Sequence, residues 1–234
     1  MIDTKYTYAV ARIRALETAL FTSATLDQLM ACQTEEQCLQ LIQEKGWGGA
    51  DTPVNAEAIL TREQEKIWEN IRDLGVDMSV FDVLSYPNMF HNLKAAIKDV
   101  CTEENGKSMN IYYDDTAISP DEMLEIVRSK DFSRLPKYMA GAAKEAYETL
   151  LHTRDGQLCD VIVDKAALEA IYAAGKEAKD SIIKDYAEST VAIADIKIAV
   201  RSQKTAKNLD FMKRAMAECE SLSVAQLSKA AVSG

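Results

Sequence analysis

Residues 90–100 read FHNLKAAIKDV and residues 193–203 read IADIKIAVRSQ. Set Lys94 on Lys197 and the two stretches agree in kind: Leu93 with Ile196, Ala96 with Ala199, Ile97 with Val200, Lys98 with Arg201. Both have apolar positions spaced three and four apart with a cationic flank, which is one face of an amphipathic helix. A chain that writes the same helix twice, about a hundred residues apart, is constrained to fold as related helical units.

A second feature recurs with the first. Ser119 opens S-P-D-E-M-L-E-I-V after the first of these helices, and Ser223 opens S-V-A-Q-L-S-K-A-A after the second. Near the N-terminus, Thr34 opens T-E-E-Q-C-L-Q-L-I after a helix-like segment containing R-I-R. Thr34/Gln37, Ser119/Glu122 and Ser223/Gln226 have capping-box spacing, in which the hydroxyl takes one free N–H of the first turn and the N3 side chain reaches back for another. One such box carries little information. Three boxes, each after an amphipathic basic helix, predict one helical unit used three times: 1–85, 86–188 and 189–234, the last incomplete.

Nearly every other periodic segment is helical too. Val10, Ile13, Leu16 and Leu20 share a face, as do Leu60, Ile67, Ile71 and Leu74. Between about 155 and 206 two stripes follow one another, with Gly175 expected to break or kink the helix between them. Pro53, Pro87, Pro120 and Pro136 punctuate the pattern, Pro87 ahead of the FHNLK helix and Pro120 at a helix start. Only MNIYYDD, residues 109–115, has an extended look, and one such stretch makes no sheet. The fold class is all-α.

Composition excludes several functions. A net charge of −10 gives a nucleic-acid partner no electrostatic support, although residues 189–234 carry seven basic against four acidic side chains. Five scattered cysteines without C-x-x-C, beside only two histidines, fit free thiols in a reducing compartment better than disulfides or zinc. No apolar run has the ~18 residues of a membrane span, so direct membrane insertion is not expected and any attachment comes through a partner. The chain reads as cytoplasmic.

Catalytic constellations are equally scarce. Asp114–Asp115 resembles the start of D-D-x-x-D, but the fifth position is Ile118, so the third carboxylate of a metal clamp is missing. Asp160 and Asp164, one turn apart, fit ion pairing better than acid–base work. G-W-G-G at 46–49 lacks the Lys-Ser/Thr of a phosphate loop and reads as a helix stop with an aromatic plug. His91 and His152 have no triad around them and read as structural. No enzyme, metal or cofactor is implied.

These residues carry a family resemblance. YAVARIRALE followed by LDQLMACQTEEQCLQLIQEKGWG, then FHNLKAAIK, GQLCDVIVDKAALEAI and a helix bearing Asp195, Ile196, Lys197 and Arg201, resembles the C subunit (the d subunit in eukaryotes) of the V-type and A-type rotary ATPases. The similarity covers essentially the whole chain in order. It implies three all-helical units around a pseudo-threefold axis, forming a funnel on the cytosolic face of the proteolipid ring. The funnel receives the rotor shaft, made of the D and F subunits, and couples it to proton or sodium transport without chemistry of its own.

Arg12, Glu17, Asn92, Lys94, Asp164, Asp195, Lys197 and Arg201 fall inside the family-like motifs. They are candidates for structural ion pairs or for interface contacts, and their equivalent places in successive units favour the structural role. The resemblance also implies a longer third unit. Phe211, Met212, Met216 and Leu227 are therefore expected to lack cover, and residues from about 205 onward to fray, repack or self-associate. An alternative reading is a helical-repeat adaptor that binds partner helices, but solenoid repeats recur every ~20–50 residues and these every ~85–105.

Overall fold

The computed structural model describes residues 6–102 and 111–233. Among them are eleven α-helices, two short 3-10 turns and no strand, so the fold is all-α. Residues 111–115 are irregular; residues 109–110 lie outside the described residues. The chain divides into two compact units, residues 1–78 and 79–234.

The first unit contains α1 (Thr7–Glu17), α2 (Ser23–Met30), α3 (Glu35–Glu44) and α4 (Ala56–Asp73). Side-chain caps start three of them: Thr22 accepts from Thr25 N, Thr34 from Gln37 N and Asn55 from Ala58 N. Helix α3 stops at Gly46, whose φ of 88° leaves the helical region at no steric cost. Trp47 then stacks on Phe21 with ring centroids 4.6 Å apart, so the aromatic plug is present. Of its large apolar side chains, Leu39 and Ile59 are fully buried. The stripe on α1 is not covered: Val10, Ile13, Leu16 and Leu20 are all exposed, and Leu20 lies beyond the helix end. On α4, Leu60 and Ile67 are exposed as well. Their periodicity is helical as expected, but among the described residues no element of this unit packs over them.

The second unit contains α5 (Asp82–Thr102), α6 (Pro120–Ser129), α7 (Lys137–Thr153), α8 (Gly156–Glu177), α9 (Ser181–Lys204), α10 (Leu209–Ala215) and α11 (Val224–Ser233). Its main core joins Phe90, Leu93 and Ile97 of α5 to Met123, Ile126 and Val127 of α6, Met139, Ala143 and Leu150 of α7, and Cys159 and Val163 of α8. Helix α5 begins earlier than its proline suggested. Pro87 lies inside it, where it forfeits one backbone hydrogen bond, and the preceding 3-10 turn (Met78–Phe81) leads directly into Asp82.

The long pattern from 155 to 206 is two helices, but Gly175 is not the break. The chain turns at 178–180, with Asp180 capping α9 through Ile182 N. Gly175 lies within α8, and a Cβ there would collide with the Cβ of Ala187. The glycine lets α8 and α9 approach each other closely, so its role is in packing.

The expected exposure of the C-terminal apolar residues is also corrected. Met212 and Met216 are fully buried, packed with Ala199 and Val224, while Phe211 and Leu227 are partly buried. Helices α10 and α11 fold back on α8 and α9 and supply that cover themselves. Large apolar residues left open include Ile182, Ile193, Ile196 and Val200 on α9 and Val232 on α11.

Candidate functional site

The repeated helices α5 and α9 each bury one polar side chain at the same position. Asn92 and Asp195, both two residues before the repeated lysine, are completely inaccessible to solvent. Asn92 Oδ1 accepts from Tyr113 N at 2.9 Å, and Asp195 Oδ1 accepts from Ala217 N at 3.2 Å. Tyr113 lies six residues ahead of Ser119, and Ala217 six ahead of Ser223. Both serines then cap the next helix, accepting from Glu122 N and Gln226 N. One device thus ties each long helix to the loop that launches the following one.

The two versions differ in chemistry. Asn92 Nδ2 also donates to the Tyr113 carbonyl at 2.8 Å and to Thr116 Oγ1 at 3.1 Å, so its amide is used at both ends. Asp195 Oδ2 is buried with no protein partner among the described residues. Burial pushes the Asp195 carboxyl up to about 6, and nearby Glu218 adds to the shift; the Ala217 N–H and Lys165 act against it.

Charged residues form a ladder across the second unit. Lys94 Nζ reaches Asp164 Oδ1 at 2.7 Å, and Lys98 Nζ reaches Asp160 Oδ1 at 2.6 Å. Two cations one turn apart on α5 thus meet two carboxylates one turn apart on α8. The Asp160/Asp164 spacing is visible in the sequence, but its partners lie about sixty to seventy residues away and only folding brings them together. Lys165, the sequence neighbour, turns instead to Glu169 and the Lys213 carbonyl. The equivalent residues on α9, Lys197 and Arg201, are exposed, and no carboxylate among the described residues pairs with them.

The first unit holds the remaining candidates. Arg12 donates to Asn70 Oδ1 at 3.0 Å and lies 3.6 Å from Asp73, linking α1 to α4. Glu17 pairs with Arg14 on its own helix at 2.7 Å. Folding therefore gives Arg12, Asn92, Lys94, Asp164 and Asp195 partners in other elements, confines Glu17 to its own helix, and leaves Lys197 and Arg201 open.

An open groove of about 820 Å³ runs between α7 and α8, bordered by Lys137, Tyr138, Glu145, Ile162 and Arg214. No His, Cys or Ser lines it. Among the described residues no group of three or more His, Cys, Asp or Glu side chains has metal-site geometry. Asp115 accepts from Asn88, and His152 Nδ1 donates to the Glu148 carbonyl at the end of α7. His91 Nε2 lies 2.9 Å from the Ile111 carbonyl. The five cysteines are free, and burial pushes the Cys159 thiol up to about 11. No helix among the described residues is long and apolar enough to cross a membrane.

Comparison with curated proteins and with solved structures gives no match. The family model described as ATP synthase (C/AC39) subunit matches residues 9–233. With nearly the whole chain matched and every described element helical, the protein belongs to the C/AC39 subunit family of the V-type and A-type rotary ATPases.

Proposed function

We propose that this chain is the non-catalytic central-stalk component that couples the rotor shaft, made of the D and F subunits, to the membrane proteolipid ring. The observation that carries this reading is the family match over residues 9–233. The ion pairs Lys94–Asp164 and Lys98–Asp160, which tie α5 to α8, suit a part that transmits force. In this reading the chain is cytoplasmic, held peripherally at the membrane through the complex, and serves proton or sodium transport according to the ring it meets.

The three-unit funnel, with units 1–85, 86–188 and 189–234, is part of the same proposal. The matched Asn92–Tyr113–Ser119 and Asp195–Ala217–Ser223 devices support a common plan for the second and third units. Arg12, Asn92, Lys94, Asp164 and Asp195 are assigned structural roles within units, which leaves shaft and ring contacts to other faces.

Size-exclusion chromatography with the purified D–F heterodimer tests the reading. A stoichiometric complex is expected at low and moderate salt. Separate elution of a cooperatively folded, highly helical chain would remove the coupling role and favour an adaptor.

A further inference from the structure

The capping box at the start of α3 brings two cysteines together. Thr34 Oγ1 accepts from Gln37 N at 3.3 Å, and Gln37 Oε1 reaches back to accept from Gln33 N at 2.9 Å. Cys32 and Cys38 flank this closed loop, and it sets both over the end of α2. Cys32 Sγ donates to the Gln28 carbonyl at 3.4 Å, and Cys38 Sγ donates to the Leu29 carbonyl at 3.7 Å. The two acceptors are consecutive carbonyls of one helical turn, and the two thiols lie within hydrogen-bonding reach of each other. Both side chains are half-buried, so a small molecule can reach them.

The surroundings suit a pair that can gain and lose a bond. The Gln28 carbonyl also accepts from Ala31 N at 3.2 Å, and the Leu29 carbonyl from Cys32 N at 3.2 Å. Removing the two S–H donors therefore leaves neither carbonyl unpaired. Burial, and then the hydrogen bond to Cys38, push the Cys32 thiol up from its ordinary value, so the resting group is the thiol. A bridge across five intervening residues constrains the unfolded chain less than one closing a long loop, which favours a reducible bond over a permanent one. Cys159, by contrast, is fully buried in the core of the second unit.

We propose that Cys32 and Cys38 form a reversible dithiol–disulfide site that exchanges with small-molecule disulfides of the glutathione class. One protein sulfur, as the thiolate, attacks a sulfur of the incoming disulfide; that S–S bond breaks and one thiolate leaves with the electron pair. The second protein sulfur, its proton lost to solvent, then displaces the other half as a second thiolate and closes the Cys32–Cys38 bond. The pair gives up two protons and two electrons, and the small disulfide takes the electrons to become two thiols. The new bond ties the first turn of α3 to the end of α2, beside the buried Leu39. The site lies wholly within the first unit and is independent of the coupling role, so either can fail alone.

The full 234-residue chain, equilibrated in glutathione buffers, acid-quenched, alkylated with N-ethylmaleimide and digested with trypsin, reads the site by mass spectrometry. Cleavage after Arg14 and Lys45 releases residues 15–45, which hold Cys32 and Cys38 and no other cysteine. In oxidised glutathione this peptide is expected to be unalkylated and two hydrogens lighter. Further cleavage after Glu35 or Glu36 should leave its halves joined until dithiothreitol is added. As the buffer becomes more oxidising, alkylation of the two cysteines should fall together, by about tenfold or more. Cys32→Ser or Cys38→Ser should trap the first step as a glutathione adduct on the remaining cysteine, with unchanged thermal unfolding showing that each variant is folded. An adduct on neither variant overturns the exchange. So does a wild-type peptide that stays alkylated in oxidised glutathione or carries glutathione at equilibrium. A disulfide-linked dimer on a non-reducing gel, lost in either serine variant, would assign the thiols to a bond between chains and also overturn the proposal.

Discussion

Asn92 and Asp195 hold equivalent loops with an amide in one helix and a carboxyl in the other, and the carboxyl makes the second joint sensitive to pH. Its folded pKa, about 6, stands above the ordinary carboxylate value, so the folded chain keeps a proton that the unfolded chain releases. Stability from this group is present in full at low pH and is lost as pH rises through about 6. Asp195→Asn keeps the acceptor for Ala217 N and supplies the donor that Asn92 already uses. Above pH 7 it should stabilise the chain by about 1–2 kcal/mol. Below about pH 4, where folded and unfolded chains both keep the proton, it should change little. Thermal melts of both proteins from about pH 3.5 to 8 check this; parallel curves across the range would refute it.

At the element scale, close packing between α8 and α9 rests on Gly175. Gly175→Ala adds a methyl where the Ala187 methyl already stands, and overpacking of this kind costs about 1–3 kcal/mol. Shortening the neighbour as well, in Gly175→Ala/Ala187→Gly, should recover part of the loss, less the propensity cost of a helical glycine. Urea melts of the single and double variants measure both. The serine caps give a second element-scale expectation. Ser119→Ala removes the acceptor for Glu122 N at the start of α6 and should cost about 1 kcal/mol. By contrast, the Lys94–Asp164 and Lys98–Asp160 pairs are partly solvated, so a double-mutant cycle on each should return only about 0.2–1 kcal/mol. Their value lies more in fixing the register of α8 on α5 than in stability.

For the whole molecule, the two units differ in how much core they own. Among the described residues of the first, Leu39 and Ile59 are the buried large apolar side chains, whereas α5 to α8 share a continuous core in the second. Since local stability follows buried apolar contact, amide hydrogens of α1 to α4 should exchange before those of α5 to α8. Mass-spectrometric hydrogen exchange would show this as two separated protection classes; uniform protection would contradict it. The exposed stripes on α1 and α9 add a related expectation, that partner binding protects these helices most.

Local pattern was enough for the helices, the hydroxyl half of each cap and the plug at Trp47, because each depends on neighbours within one or two turns, whereas Glu122 turns from its cap to Arg134. It also exposed the repeat, since Leu93/Ile196 and Lys94/Lys197 match without any fold in hand. Sequence spacing could not show that Asp160 and Asp164 face Lys98 and Lys94, that Gly175 admits Ala187, or that Met212 and Met216 are buried by α10 and α11. Those outcomes depend on which faces meet, and helical periodicity marks a face as apolar without saying what lies against it. Tertiary structure alone decided that α5 has its cover and α9 keeps one side open, because that difference lies in the helices packed around two nearly identical stretches of chain.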